Sequence, residues 1–305
     1  MRTAFIATLC DLAKKDNNIF LLNGDLGFSV LEPFIEAFPN RSLNMGVAEA
    51  NMIGVAAGLA LSGKTVFVYS IIPFVTARVF EQIRNDIALQ KANVKIVGVG
   101  SGLTYGQLGP THHSIEDIAL MRALPNMTVV APGDPKETEE ATKALAKIKG
   151  PAYLRIGKKG EPMIHTKKPA FRLGKGIIAR TGTDLTLIAA GNMLATAITT
   201  ADELEKGGKR VSVISLHTIK PLDAPLIKKA ARDTPAIFTL EEHSIIGGLG
   251  SAVAEVLAES RISPIFRRFG IRDRFTTIAG SQDFLRRYHH LSPPDIAKQI
   301  LKDIS

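Results

Sequence analysis

Three short segments carry residues whose types could do chemistry. The first is Asn44-Met45-Gly46-Val47-Ala48-Glu49-Ala50-Asn51, running on through Gly54 and Gly58. One carboxylate, Glu49, stands just inside a helix start made otherwise of small and apolar residues. A carboxyl group at such a surface is where desolvation can tune proton chemistry. The plainer alternative is an acidic first-turn residue that complements the helix dipole. The second is Gly106-Gln107-Leu108-Gly109-Pro110-Thr111-His112-His113-Ser114-Ile115-Glu116-Asp117. Its glycines and proline shape a turn that presents two imidazoles just before a helix. That turn lies on the carboxyl side of a parallel strand, where open α/β sheets bind ligands. Proton handling and a structural role are both open to this pair. The third is Thr239-Leu240-Glu241-Glu242-His243-Ser244-Ile245-Ile246-Gly247-Gly248-Leu249-Gly250-Ser251. It reads as a strand end, a polar turn and a glycine-rich helix start. Tight helix–strand packing is the favoured reading of it over ligand binding, since glycine permits close backbone approach.

Other patterns fail on their context. Gly58-Leu59-Ala60-Leu61-Ser62-Gly63-Lys64-Thr65 fits the phosphate-loop pattern. That loop needs a strand before it and a helix after it, so that backbone N–H groups meet phosphate. Here the order is reversed, and Gly63 reads as a helix C-cap. Gly98-Val99-Gly100-Ser101-Gly102 and Gly247-Gly248-Leu249-Gly250 miss the dinucleotide spacing. His112-His113 and His289-His290 are adjacent pairs, which do not share a helix face, so no metal site is expected.

The elements that must position these residues alternate twice. Strands are expected at 19–22, 66–69, 94–99, 128–130 and 152–156, with helices at 4–15, 48–61, 79–90, 115–123 and 135–147. A glycine-, proline- and lysine-bearing stretch follows. A second set has strands at 185–189, 210–215, 237–240 and 264–269, and helices at 193–206, 224–231, 252–260 and 294–304. The fold class is α/β, with two doubly wound domains and largely parallel sheets. The expected division is 1–160, a linker at 161–175, and 176–305.

The 305 residues, 45% apolar, suffice for two cores. The single cysteine, Cys10, precludes an internal disulfide and reads as a buried small hydrophobe. No apolar run has the roughly 20 residues of a membrane span, and no signal peptide is expected, so the expected compartment is the cytoplasm. The net charge of +9 is spread without a dense basic run. A phosphorylated small substrate therefore suits the chain better than nucleic acid.

Together the Gly-Val-Ala-Glu, Gly-Pro-Thr-His and Leu-Glu-Glu-His-x-Ile-x-Gly-Gly-x-Gly-Ser segments resemble the transketolase superfamily, in its order and spacing. The resemblance covers essentially the whole chain: a thiamine-diphosphate pyrimidine-binding domain, then a transketolase C-terminal domain. It implies that Glu49 hydrogen-bonds the cofactor aminopyrimidine and favours the imino tautomer that takes the thiazolium C2 proton. It implies that Asp25 and Phe74 stand beside the cofactor. It puts His112, and with it His113, at the reacting carbon and sugar hydroxyls, and Arg2, Ser29 and Arg155 at the substrate phosphate, where arginine's fork suits the anion. The implied reaction moves a two-carbon ketol unit between phosphorylated sugars, as in pentose phosphate metabolism.

Departures accompany the resemblance. Gly100 stands where transketolases carry a second substrate histidine, and Leu108 where they carry an aspartate. Ile71 and Ala77 occupy positions expected to be aromatic. Lys220-Pro221-Leu222-Asp223 looks more like deoxyxylulose-phosphate synthases and 2-oxo acid dehydrogenase β subunits, which remain alternatives, as does a non-catalytic binding subunit. The family's Gly-Asp-Gly metal segment does not occur. The resemblance therefore implies that a separate N-terminal subunit brings Mg2+ and the diphosphate site. An α2β2 heterotetramer with a second copy of this chain is the expected assembly.

Overall fold

The computed structural model describes residues 1–305. Its strands are β1 (Ile19–Asn23), β2 (Ser42–Asn44), β3 (Thr65–Ile71), β4 (Val94–Val99), β5 (Thr128–Val130), β6 (Ala152–Ile156), β7 (Ile177–Arg180), β8 (Leu185–Ala189), β9 (Val211–Ser215), β10 (Thr218–Lys220), β11 (Ala236–Ser244) and β12 (Ile265–Ile271). They form one sheet in the order β10-β5-β6-β4-β3-β1-β2 and another in the order β12-β11-β8-β9-β7. Neighbours run parallel except at the edge strands β10 and β7. β4, β6 and β8 are buried along their whole length. A parallel sheet covered on both faces needs such continuous apolar runs.

The helices are α1 (Arg2–Ala13), α2 (Glu32–Ala37), α3 (Glu49–Leu61), α4 (Ile72–Val75), α5 (Phe80–Gln82), α6 (Asp117–Ala123), α7 (Pro135–Lys147), α8 (Met193–Lys206), α9 (Ala224–Asp233), α10 (Leu249–Ser260), α11 (Gln282–Tyr288) and α12 (Pro293–Ile304). No helix is long and apolar enough to cross a membrane. Asp134 caps α7 by accepting from Glu137 N at 2.8 Å. Its other oxygen accepts from Ile164 N and His165 N at 3.0 and 2.7 Å, which ties the segment between the sheets to this helix. The stretch expected as one helix at 79–90 is α5 followed by a π-helix over Ile83–Ala88. Val79, Ile83 and Ile87, all buried, repeat every four residues, and the wider winding keeps them on one face. β2, β7 and β10 are not among the expected strands: each ends in a polar or charged residue and lacks the unbroken β-branched run of the equally short β5.

The two sheets share a core. One apolar cluster runs from Leu22 and Val66 through Met121 and Ala131 to Ile188, Ile214 and Leu249. A buried ion pair fastens the polar side of this junction. Arg155, near the end of β6, donates from Nε to Asp117 Oδ2 at 2.7 Å. Its Nη2 donates to Asp117 Oδ1, to Ser114 O and to Glu242 O at 3.3, 2.8 and 3.0 Å. Tyr153 Oη donates to the same carboxylate at 2.6 Å. Removing one partner of a buried pair strands the other charge at a cost of about 3–5 kcal/mol. Asp117→Ala should lose that much in urea unfolding, whereas Asp117→Leu combined with Arg155→Met should lose far less. Equal losses would show that the charge compensation is not what matters.

His217 sets an acid limit. It is buried and stacks on Phe171 with ring centroids 4.0 Å apart. Burial pushes its pKa down to about 4, with Glu137 opposing the shift. An unfolded histidine titrates near 6.5. Between these values the folded chain binds fewer protons than the unfolded one. The stabilisation is therefore whole above about pH 6.5 and is lost as pH falls toward 4. His217→Gln should flatten the decline of the urea midpoint across that window, and an unaltered slope would contradict this origin.

Candidate active site

The larger sheet changes direction between β1 and β3. β1 leads to β2 on one side, and the chain then returns over β1 to build β3 and β4 on the other. Ligands in open α/β sheets bind outside the carboxyl ends of the strands at such a switch point. Glu49 lies there. It opens α3, and its side chain is only 2% exposed. Ser70 Oγ, from β3, donates to its Oε1 at 3.0 Å. Gly24, directly after β1, donates its N–H to Tyr69 O at 3.2 Å. A Cβ at Gly24 would come within 3.3 Å of Glu49 Oε1 and 3.2 Å of Ser70 Oγ, so the missing side chain leaves the carboxylate its room.

From Glu49 a chain of contacts crosses the carboxyl edge. Arg78 Nη1 donates to Glu49 Oε2 at 2.9 Å, while its side chain stays 47% exposed. The guanidinium lies over the Phe74 ring, 4.3 Å from its centroid. Phe74 meets the His112 ring edge-on at 5.1 Å. His112 Nδ1 pairs with Thr111 Oγ1 at 3.0 Å, and its ring lies 6.2 Å from that of Tyr105. Lys158 Nζ sits over the Tyr105 ring at 4.7 Å, and Arg2 Nε donates to Lys158 O. Burial raises the Tyr105 pKa, with the Arg2 charge opposing it. Glu49, Phe74, His112 and Arg2 are thus strung along one edge.

Asp25 and Ser29 follow β1 on the same edge, and both are exposed with positive φ, 52° and 61°. Asp25 Oδ1 accepts from Asn44 Nδ2 at 3.0 Å, and Asp25 N donates to Asn44 Oδ1 at 3.1 Å. Ser29 N donates to Glu32 Oε1 at 2.7 Å. Two expected residues lie elsewhere. His113 is 4% exposed and turned inward, close enough to Glu242 to feel its charge, and burial lowers its pKa. Adjacent residues on this loop face opposite ways, so His112 meets Phe74 at the edge while His113 faces the interior. Arg155 is also turned inward: it is 2% exposed, and its Nε and Nη2 donate to Asp117, Ser114 and Glu242.

Sequence reasoning missed Ser70, Arg78, Tyr105 and Lys158. The strand end could have pointed to Ser70. Nothing local marked the others, which meet the site across long loops. The third segment serves packing. Glu241 caps α10, accepting from Leu249 N and Gly250 N at 2.7 and 2.8 Å. Glu242 accepts from Leu103 N at 2.7 Å and from Arg286 Nε.

Known proteins match the chain along its length. A family described as the transketolase pyrimidine binding domain matches residues 1–161, and one described as the transketolase C-terminal domain matches 174–296. A Methanocaldococcus jannaschii protein named as a transketolase C-terminal section is 42% identical, covering 100% of this chain and 96% of that protein. A Clostridium 6-deoxy-6-sulfo-D-fructose transketolase subunit is 39% identical, covering 98% and 92%. Among solved structures, a split-gene transketolase described as an inactive β4 tetramer superposes with a TM-score of 0.89 at 38% identity, covering 99% of this chain and 97% of that one.

Gly100 explains one departure of the sequence. Its φ is +89°, and a Cβ there would lie 2.1 Å from the Tyr105 ring. Tyr105 fills the room that a side chain at 100 would need. Gly100→Ala should cost roughly 2–4 kcal/mol, from overpacking and a strained φ. Adding Tyr105→Ala should make the total loss smaller than the sum of the two single losses by calorimetric unfolding. Simple additivity would refute the contact.

Proposed function

The chain belongs to the transketolase family, and from that premise we propose that it is the C-terminal subunit of a split, thiamine-diphosphate-dependent transketolase in the cytoplasm. The reaction moves a two-carbon ketol unit between phosphorylated sugars. It requires an N-terminal partner subunit that carries Mg2+ and the diphosphate site, assembled with two copies of this chain as α2β2. The observation that carries this reading is the Glu49 carboxylate, buried at the switch point.

The residues fit the aminopyrimidine half of the cofactor. Gly24 leaves space beside Glu49 that a Cβ would fill, and Phe74 offers an aromatic face next to the carboxylate's donor. When bound, thiamine diphosphate supplies the carbanion chemistry that a protein lacks. Glu49 would accept a hydrogen bond from a ring nitrogen of the cofactor and so hold a proton at that atom, with Ser70 fixing the other carboxylate oxygen. Phe74 orients the ring. His112, held edge-on to Phe74, is placed to bind a substrate hydroxyl and move its proton. Asp25 binds at the rim. Arg2 and Ser29 bind the anionic end of the sugar, joined by Lys158 in place of Arg155. Tyr105, whose ring fills the room that a side chain at position 100 would need, narrows the donor site. The relative named for a sulfonated ketose supports an anionic ketose donor of open headgroup.

The test is co-expression with a candidate N-terminal subunit and assay of xylulose 5-phosphate with ribose 5-phosphate, thiamine diphosphate and Mg2+. 6-Deoxy-6-sulfofructose and pyruvate serve as alternative donors. Turnover should need both chains and the cofactor. Glu49→Gln should preserve assembly and lower kcat roughly a hundredfold or more, the scale of general acid–base groups. Near-normal turnover by that variant would overturn the role of Glu49. Carbon dioxide release from pyruvate, without ketol transfer, would overturn the transketolase reading.

A further inference from the structure

The Arg78 side chain satisfies the same groups that a flat nitrogen heterocycle would. It is planar, lies on the Phe74 face 4.3 Å from the ring centroid, and donates an N–H to Glu49 Oε2 at 2.9 Å. A stacked, donor-bearing plane against an aromatic ring and a carboxylate describes an aminopyrimidine equally well. Guanidinium is weakly hydrated and stacks readily, which suits it to this place. One face of Phe74 and one oxygen of Glu49 cannot serve both.

Resting on the cofactor assignment above, we propose that Arg78 is a removable stand-in for the aminopyrimidine ring, covering Glu49 until the ring displaces it. The geometry allows the exchange. Arg78 lies in the turn between α4 and α5, where its backbone N–H is fixed to Pro73 O at 3.1 Å. The Cα therefore stays in place and only the long side chain must swing. That side chain is 47% exposed, so its outer end already meets water. Only the Arg78 end of the pair is exposed, so a ring that donates to the same oxygen can replace it without leaving Glu49 unpaired. Glu49 needs such a partner, because a buried carboxylate without one is costly. Arg78 keeps the empty-handed chain folded around its carboxylate, and the ring takes over that role on binding. The same residue then sets how tightly the cofactor is held, since binding must first break the Arg78 contacts.

The experiment is calorimetric titration of thiamine diphosphate, with Mg2+, into the assembled two-subunit enzyme. The proteins are wild type, Arg78→Ala and Arg78→Lys. Arg78→Ala should bind about fivefold to thirtyfold more tightly, the range that one half-exposed ion pair and one exposed cation–π contact allow. Arg78→Lys should fall between, because an ammonium reaches Glu49 but does not lie flat on Phe74. As a second readout, Arg78→Ala should lower the thermal midpoint of the free chain, where nothing else satisfies Glu49. Equal or weaker cofactor binding by Arg78→Ala, with normal binding by wild type, would overturn the stand-in and leave the proposed function intact. No binding by any of the three would overturn the cofactor reading and this inference with it.

Discussion

The buried pair of Arg155 and Asp117 is the interaction on which the rest depends. The two side chains are 2% and 1% exposed, so each would be untenable alone. Together they join four parts of the chain. Arg155 belongs to β6, Asp117 opens α6, Ser114 closes the histidine loop and Glu242 lies in β11. One guanidinium therefore sets the end of the loop that carries His112 and fixes the second sheet against the first. Its low exposure also strengthens each hydrogen bond it makes. Nearby, Ser114 N and Oγ donate to Gly102 O and Gly100 O, which draws the loop back upon itself. The loop's shape follows from that anchoring and from glycines with positive φ at 100, 102 and 109.

On this frame the site is a crescent of charge and aromatic surface. Glu49 is the buried acid at its centre. Arg78, Arg2 and Lys158 supply positive charge along its length, and Phe74, His112 and Tyr105 supply flat faces between them. A basic rim attracts small anions and raises their local concentration. The single acid is shielded from that field by its depth and by its partners Ser70 and Arg78.

Much of the fold was legible because its strands are continuous apolar runs and its longer helices are periodic. β4, β5, β6 and β8 have the bounds expected of them. Glu49 and His112 stood out by type and setting, Phe74 only through the family resemblance, and the structure brings the three to one edge. What the sequence left illegible has one physical cause. A position along the chain does not say which way a side chain points. His113 follows His112 by one residue and faces the interior. Arg155 has an arginine's appeal for phosphate, yet its partners lie 38 and 87 positions away in sequence. Tyr105 and Arg78 act through contacts that arise only once loops fold over the sheet edge. The packing reading of the Glu241-Glu242-His243 segment agrees with Glu241 accepting from Leu249 N and Gly250 N at the start of α10.

β10 gives the molecule an order of assembly. These three residues come from the second half of the chain, yet they complete the first sheet by covering β5. The first sheet cannot close its edge until Thr218–Lys220 have been made and brought back. Until then β5 presents unpaired N–H and C=O groups, a template for the wrong neighbour. The two halves, each with its own layers, are therefore not independent pieces that could be separated at the connecting segment. A nascent chain must carry an open, adhesive margin for nearly ninety residues beyond β5, and a version cut before Thr218 would keep it permanently.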